Sequence, residues 1–260
     1  MEINKIGNYR WVICALLFFA TTINYIDRQV IGLLKPTLET EFHWTEVDYG
    51  YIVMAFAAMY ALGYVIFGSL IDKVGSKIGY GISVFVWSIA AMLHAIVHST
   101  LGFGAARALL GLAESGNFPA GVKATAEWFP KKERALATGI FNSGTSIGAV
   151  VAPLMVPWIL GIYGWKEAFW ITGALGFIWL IFWWIFYEIP TKQKRLKQPE
   201  FDYIHSDNED EHSGSKVKLK WSQLLRLRQT WVFIVGKVLT DPIWWFFLFW
   251  LPSYFADAFA

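Results

Sequence analysis

The sequence is 260 residues long, with 56% hydrophobic residues, 16% charged residues and a formal net charge of +2. A soluble domain carries about a quarter charged residues, so the composition excludes an ordinary soluble domain and points to a membrane protein with no nucleic-acid partner. Fifteen tryptophans and twenty-one phenylalanines suit the aromatic belts of a bilayer protein.

A helix needs about 20 apolar residues to cross a hydrocarbon core about 30 Å thick. Seven stretches meet this requirement: 11–34, 48–69, 79–98, 101–122, 136–160, 168–188 and 230–256. The first is too long for a cleaved leader and reads as a retained span. Lys5, Arg10, Lys73, Lys77, Lys123, Lys131, Lys132, Arg134 and the basic residues between 192 and 228 fall in one set of loops, against Lys35 and Lys166 in the other. Basic residues stay on the cytoplasmic side, so the N-terminus and the 189–229 stretch are expected inside.

The first span carries "NYIDR" at 24–28, which puts Asp27 and Arg28 at membrane depth. Charges there are costly and usually functional. Counted from an outer end at Leu34, Arg28 lies about 9 Å down. Tyr25 shares its face, and Tyr60 lies at mid-depth in the second span; both tyrosines can offer hydroxyls to a polyol. In the third span His94 and His98 stand four apart, with no third ligand in view, so no metal is expected. Counted from Leu101, Arg107 in the fourth span also lies about 9 Å down, with Glu114 two turns deeper on the same face. The expected pairing is therefore Asp27 with Arg107. Arg28 is left to bind an anion through its planar fork, and Glu114 is left without a basic neighbour. The alternative is that all four simply tie the bundle together.

In the fifth span "FNSGTSIG" places Asn142 and Thr145 as cavity residues, while Gly144 and Gly148 have the spacing of a close helix contact. After the sixth span come "PTKQKRLKQPE", the acidic "DNEDEHSGS" and the basic, amphipathic "KVKLKWSQLLRLR". This 189–229 segment reads as a flexible connector whose basic part could lie on anionic headgroups. The seventh span holds Lys237, Asp241 and Pro242. A proline removes a backbone donor, so a kink is expected near Asp241, with Trp244 or Trp245 turned to the site. The sole cysteine, Cys14, lies in an apolar run and is read as packing.

"GSLIDKVGSK" at 68–77 resembles the signature loop between the second and third helices of the major facilitator superfamily, with Ser76 at a usually basic position. "NYIDR" and "RALLGLAESGNFPA" (107–120) resemble its anion:cation symporter family, and "GKVLTDPIWWFFLFWLPSY" (236–254) resembles bacterial hexuronate transporters. The resemblance implies an all-α polytopic membrane protein of the major facilitator fold. Residues 1–188 would form an N-terminal six-helix bundle, 189–229 a cytoplasmic inter-bundle loop, and 230–260 the first helix of a truncated second bundle. It implies a proton-coupled carrier in the bacterial inner membrane that imports a hexuronate, glucuronate or galacturonate. The alternatives are another organic anion such as an aldonate, phosphate, or a transport-dead fragment.

By the same resemblance Arg28 binds the substrate carboxylate and Tyr25 and Tyr60 contact the sugar acid, while Asn142, Thr145 and Trp245 join the expected binding site on the residue readings above. Asp27 and Glu114 carry protons, and Arg107 couples to Asp27. The partners implied are a small carboxylated sugar, membrane lipid and a second bundle. The proton is the coupling ion, with no other cofactor. H-E-x-x-H does not occur, and the one G-x-S-x-G match, Gly144 to Gly148, lies within the apolar fifth span and not at a strand-to-helix turn, so an enzyme is not expected.

Overall fold

The structure is a computed structural model that describes residues 7–206, 223 and 225–259. The acidic tract and most of the basic amphipathic stretch fall outside these residues. The chain divides into two compact units, residues 1–206 and 207–260.

Among the described residues the first unit is built from the helices α1 (Tyr9–Phe42), α2 (Glu46–Val74), α3 (Ser76–Leu93), α4 (Thr100–Glu114), α5 (Asn117–Trp128), α6 (Lys131–Ile162), α7 (Trp165–Phe186) and α8 (Gln198–Ile204). Thr45 and Asp48 form a capping box at the start of α2, and the Ser99 hydroxyl accepts from the Gly102 amide at the start of α4. Such caps satisfy amides that a helix leaves without partners. The turn between α2 and α3 passes through Gly75 at φ +85°, a backbone conformation that favours glycine.

Three helix pairs set the packing, and each closes on small residues. On α6, a Cβ added to Gly144 or Gly148 would come within 2.5 Å of the Phe18 carbonyl or 2.6 Å of the Thr22 carbonyl on α1. Gly111 on α4 lies against the Phe56 carbonyl of α2, and Gly173 on α7 against the Ser88 carbonyl of α3. Glycines allow this approach because no side chain intervenes. Leu62, Val65 and Ile66 on α2, Val150, Leu154 and Trp158 on α6, and Ile178, Ile181 and Phe182 on α7 are exposed, as lipid-facing side chains would be.

Six helices among the described residues are long and apolar enough to cross a membrane. The expected single span at 101–122 is instead two helices, α4 and α5. Pro119 has no amide to bond the Ser115 carbonyl. Ser115 and Gly116 keep helical torsions, while Gly116 bonds back three residues to Ala113 at 3.3 Å. The Ser83 hydroxyl donates to the Ala113 carbonyl at 2.6 Å, and Tyr80 donates to Asn117. The break is therefore held by α3, and Glu114 is the last residue before it.

Two other expectations are corrected. Lys35 is not a loop residue. α1 runs eight residues past Leu34, and Lys35 is buried in it, bonded to Glu39 at 3.2 Å and Glu46 at 2.5 Å. Nor is residue 189 the start of a wholly flexible connector. A 3₁₀ turn at Pro190–Lys192 leads to α8, whose Glu200 is buried. The Glu200 carboxylate accepts from the backbone amides of Tyr9 (3.1 Å) and Arg10 (3.0 Å) and from the Arg10 guanidinium (3.2 Å). It caps α1, for which Asn8 makes no side-chain bond. Arg10 also grips Glu133 of α6 at 2.8 Å, and the Tyr203 hydroxyl donates to the same carboxylate. Nearby, the Lys77 ammonium donates to Glu188 at 2.8 Å and holds that carboxyl below the usual carboxylate range.

In the second unit one helix, α9 (Arg228–Phe259), contains Pro242 and Pro252. The helix continues through both prolines. Lys237 and Asp241 form an i,i+4 ion pair at 3.1 Å.

Candidate functional site

The charges of α1 and α4 meet inside the first unit. Asn24, Asp27 and Arg28 sit within consecutive turns of α1, and Arg107 and Glu114 two turns apart on α4. None of the five is more than 2% exposed. The pairing differs from the expected one. Arg28 is not left for a ligand: its Nε and Nη2 both donate to Oε2 of Glu114, at 3.0 and 2.9 Å. Glu114 accordingly has a basic partner, supplied by another helix. Nη2 also donates to Asn24 Oδ1 at 3.1 Å. The guanidinium lies 4.6 Å from the ring centroids of both Tyr25 and Tyr60 and 5.3 Å from that of Phe56. Cations over aromatic faces gain about 0.5–2 kcal/mol each, more when desolvated.

Asp27 and Arg107 do not form the expected pair. Neither Asp27 carboxylate oxygen has a hydrogen-bond partner among the described residues, and the same holds for Nε and Nη2 of Arg107. Arg107 donates through Nη1 to the Arg28 carbonyl at 3.2 Å. Thr172 of α7, Arg107 and Glu114 are the groups that act on Asp27. Glu114 Oε1, Asn24 Nδ2 and the Thr172 hydroxyl are also buried without partners. Two carboxylates and two guanidiniums sum to zero, yet several donors and acceptors in this shell are unmatched. A buried polar group left unmatched costs about 1–3 kcal/mol, so such a shell suits a polar ligand or water that completes it.

The structure thus brings together Tyr25, Asp27, Arg28, Tyr60, Arg107 and Glu114. The Tyr60 hydroxyl also lies 3.2 Å from that of Tyr64. Among the described residues, no hydrogen bond joins Asn142 or Thr145 to this cluster. Both lie part-exposed on α6, and Asn142 Oδ1 is without a partner. Trp245 belongs to α9 in the other unit, where its ring meets Phe249 at 5.8 Å. Asn24 was missed by the sequence reading, although its position four residues before Arg28 places it on the same helix face. Among the described residues no group of three or more metal-ligating side chains converges.

A helical bundle with six helices long and apolar enough to cross a membrane among the described residues, and with charges paired in its interior, has the architecture of a polytopic membrane protein. The profile of the Major Facilitator Superfamily matches residues 17–260, and the chain belongs to that family. It is 39% identical over 251 residues to the hexuronate transporter of Escherichia coli K12, covering 96% of this chain and 58% of that protein. It is 37% identical over 257 residues to the galacturonate transporter of Dickeya chrysanthemi, covering 98% and 74%. The D-galactonate transporter of Escherichia coli O6:H1 is 30% identical, with 96% and 60% covered. The chain therefore spans between about three-fifths and three-quarters of the length of these relatives. Among solved structures, a bacterial homologue of the human lysosomal transporter Spinster, inward-facing and occupied, superposes with a TM-score of 0.63 at 24% identity over 71% of this chain and 46% of that one. The fold is shared.

Proposed function

We propose that the protein carries a hexuronate such as glucuronate or galacturonate across the bacterial inner membrane, driven by protons. The observation that supports this reading is the Arg28–Glu114 pair held between the rings of Tyr25 and Tyr60. A carboxylate already occupies the face of Arg28 that a sugar acid needs. A proton on Glu114 weakens its hold on the guanidinium, and the substrate carboxylate takes its place with no change in the net charge of the site. The flanking tyrosine hydroxyls then meet the sugar. Asp27 takes a second proton, and its charge governs Arg107. Inward opening reverses both steps: Glu114 loses its proton, recovers Arg28 and displaces the anion.

In this reading residues 1–188 are the N-terminal bundle, 189–229 the inter-bundle segment and 230–260 the opening helix of a second bundle that completes the site. The basic loop residues favour a cytoplasmic N-terminus. The relatives named above as hexuronate and galacturonate transporters favour a six-carbon uronate. The test is uptake of labelled glucuronate and galacturonate by proteoliposomes, with and without an inward proton gradient, against competing galactonate and phosphate. Uronate accumulation that collapses with the gradient supports the proposal. Competition by phosphate but not by uronates, or accumulation indifferent to the gradient, refutes it.

A further inference from the structure

His94 is a buried titratable group to which the transport cycle above assigns no task. It follows the last residue of α3, and its ring is fully buried and stacks on Phe169 of α7 at 5.0 Å. Its Nδ1 lies 2.7 Å from the Ala90 carbonyl and 3.2 Å from that of Ala91. A carbonyl can only accept, so Nδ1 carries the proton, and in the neutral ring Nε2 is an acceptor. That acceptor has no partner among the described residues. The ring also meets Phe103 at 6.0 Å, and Phe103 stands one turn before Arg107 on α4. The Arg107 guanidinium acts on the His94 ring, and two of its three nitrogens, Nε and Nη2, are unmatched donors. The Asp27 carboxylate and His94 Nε2 are thus both unmatched acceptors within electrostatic reach of Arg107.

We infer that His94 is a positioning residue: its Nε2 receives the Arg107 guanidinium when Asp27 is neutralised. While Asp27 is charged, Coulomb attraction draws Arg107 towards it. Once Asp27 takes a proton that attraction is lost, and the buried guanidinium needs a neutral acceptor that does not demand another proton. His94 offers one whose tautomer is fixed by Ala90. This gives the side chain two defined positions and ties the state of Asp27 to the α3–α7 side of the bundle. The inference rests on the assignment of Asp27 as a proton carrier, and its first test is independent of transport.

In protein labelled with ¹⁵N-histidine, the His94 Nε2 resonance is identified by its loss in His94→Phe or, if that variant does not fold, in His94→Gln. Asp27→Asn fixes the neutral form. The Nε2 resonance of Asp27→Asn should lie upfield, as for an acceptor in a hydrogen bond, and should return downfield in Asp27→Asn/Arg107→Gln. The same position in both proteins overturns the inference. In transport, His94→Phe keeps the stacked ring and removes the acceptor, whereas His94→Gln keeps an acceptor. Gradient-driven accumulation should fall at least tenfold in His94→Phe and be largely kept in His94→Gln, with substrate exchange kept in both. Unchanged accumulation in His94→Phe also overturns the inference. A protein that moves no sugar acid would sink the proposed function and leave the resonance result standing.

Discussion

Replacing each member of the Arg28–Glu114 pair, alone and together, tests the centre of the site. Two charge-assisted bonds of 2.9 and 3.0 Å join side chains that are 2% and 0% exposed. Removing one partner of such a buried pair costs about 3–5 kcal/mol, because the other charge is left without its counterpart. The two single losses should be unequal. In Glu114→Leu the guanidinium stays charged and cannot shed its proton, so the loss should approach about 5 kcal/mol. In Arg28→Met the stranded carboxyl can take a proton instead, so the loss should lie nearer about 3 kcal/mol. Arg28→Met/Glu114→Leu removes both charges, and apolar replacements of a buried pair are often neutral. The double variant should therefore lose at least about 3 kcal/mol less than the sum of the singles. The assay is unfolding of purified protein in mixed micelles by titrated dodecyl sulfate, followed by circular dichroism. Additive losses would refute the claim that the two side chains are each other's principal partners.

Arg28→Lys keeps the charge and loses the fork, so galacturonate binding measured by calorimetry should weaken about tenfold or more, about 1.4 kcal/mol; unchanged affinity would place the carboxylate elsewhere. Glu114→Gln imitates the protonated acid and should keep counterflow exchange while losing gradient-driven accumulation in vesicles. Gly148→Val puts a branched side chain where even a Cβ lies 2.6 Å from the Thr22 carbonyl, and should cost about 1–3 kcal/mol in the same unfolding assay. Glu200→Ala should speed hydrogen exchange at the Tyr9 and Arg10 amides, about tenfold for each 1.4 kcal/mol of cap lost, while amides in the middle of α1 stay protected.

The sequence made the spans legible because hydropathy reports burial in lipid directly, and it named the four buried charges because charge in an apolar run is conspicuous. Their pairing was misread for a geometric reason. The depth count ended α1 at Leu34, where Lys35 and Pro36 interrupt the apolar run. Lys35 is sheltered by Glu39 and Glu46, and the helix continues to Phe42. Measured from the true ends, Arg28 lies fourteen residues below Phe42 and Glu114 fourteen residues below Thr100, about 21 Å in each case. The matched depths are those of Arg28 and Glu114, and they bond. The role of Glu200 was illegible for another reason: a carboxylate in a charged tract gives no local sign that it caps a helix 191 residues away in sequence.

That cap has a consequence for the order in which the protein is made. A chain emerges from the ribosome N-terminus first, so α1 is the earliest helix available to insert. Its Tyr9 and Arg10 amides cannot acquire their acceptor until residue 200 has been synthesised, after every other helix of the first unit. The first helix to be born is the last to be finished. Until then, of the two carboxylates that Arg10 bonds, only Glu133 of α6 is available to it, and the opening turn of α1 is the place where a stalled or cut chain would fray. Synthesis halted before α8 should yield a bundle with its spans in place and its N-terminal turn open to a protease, and release of the next few residues should close it.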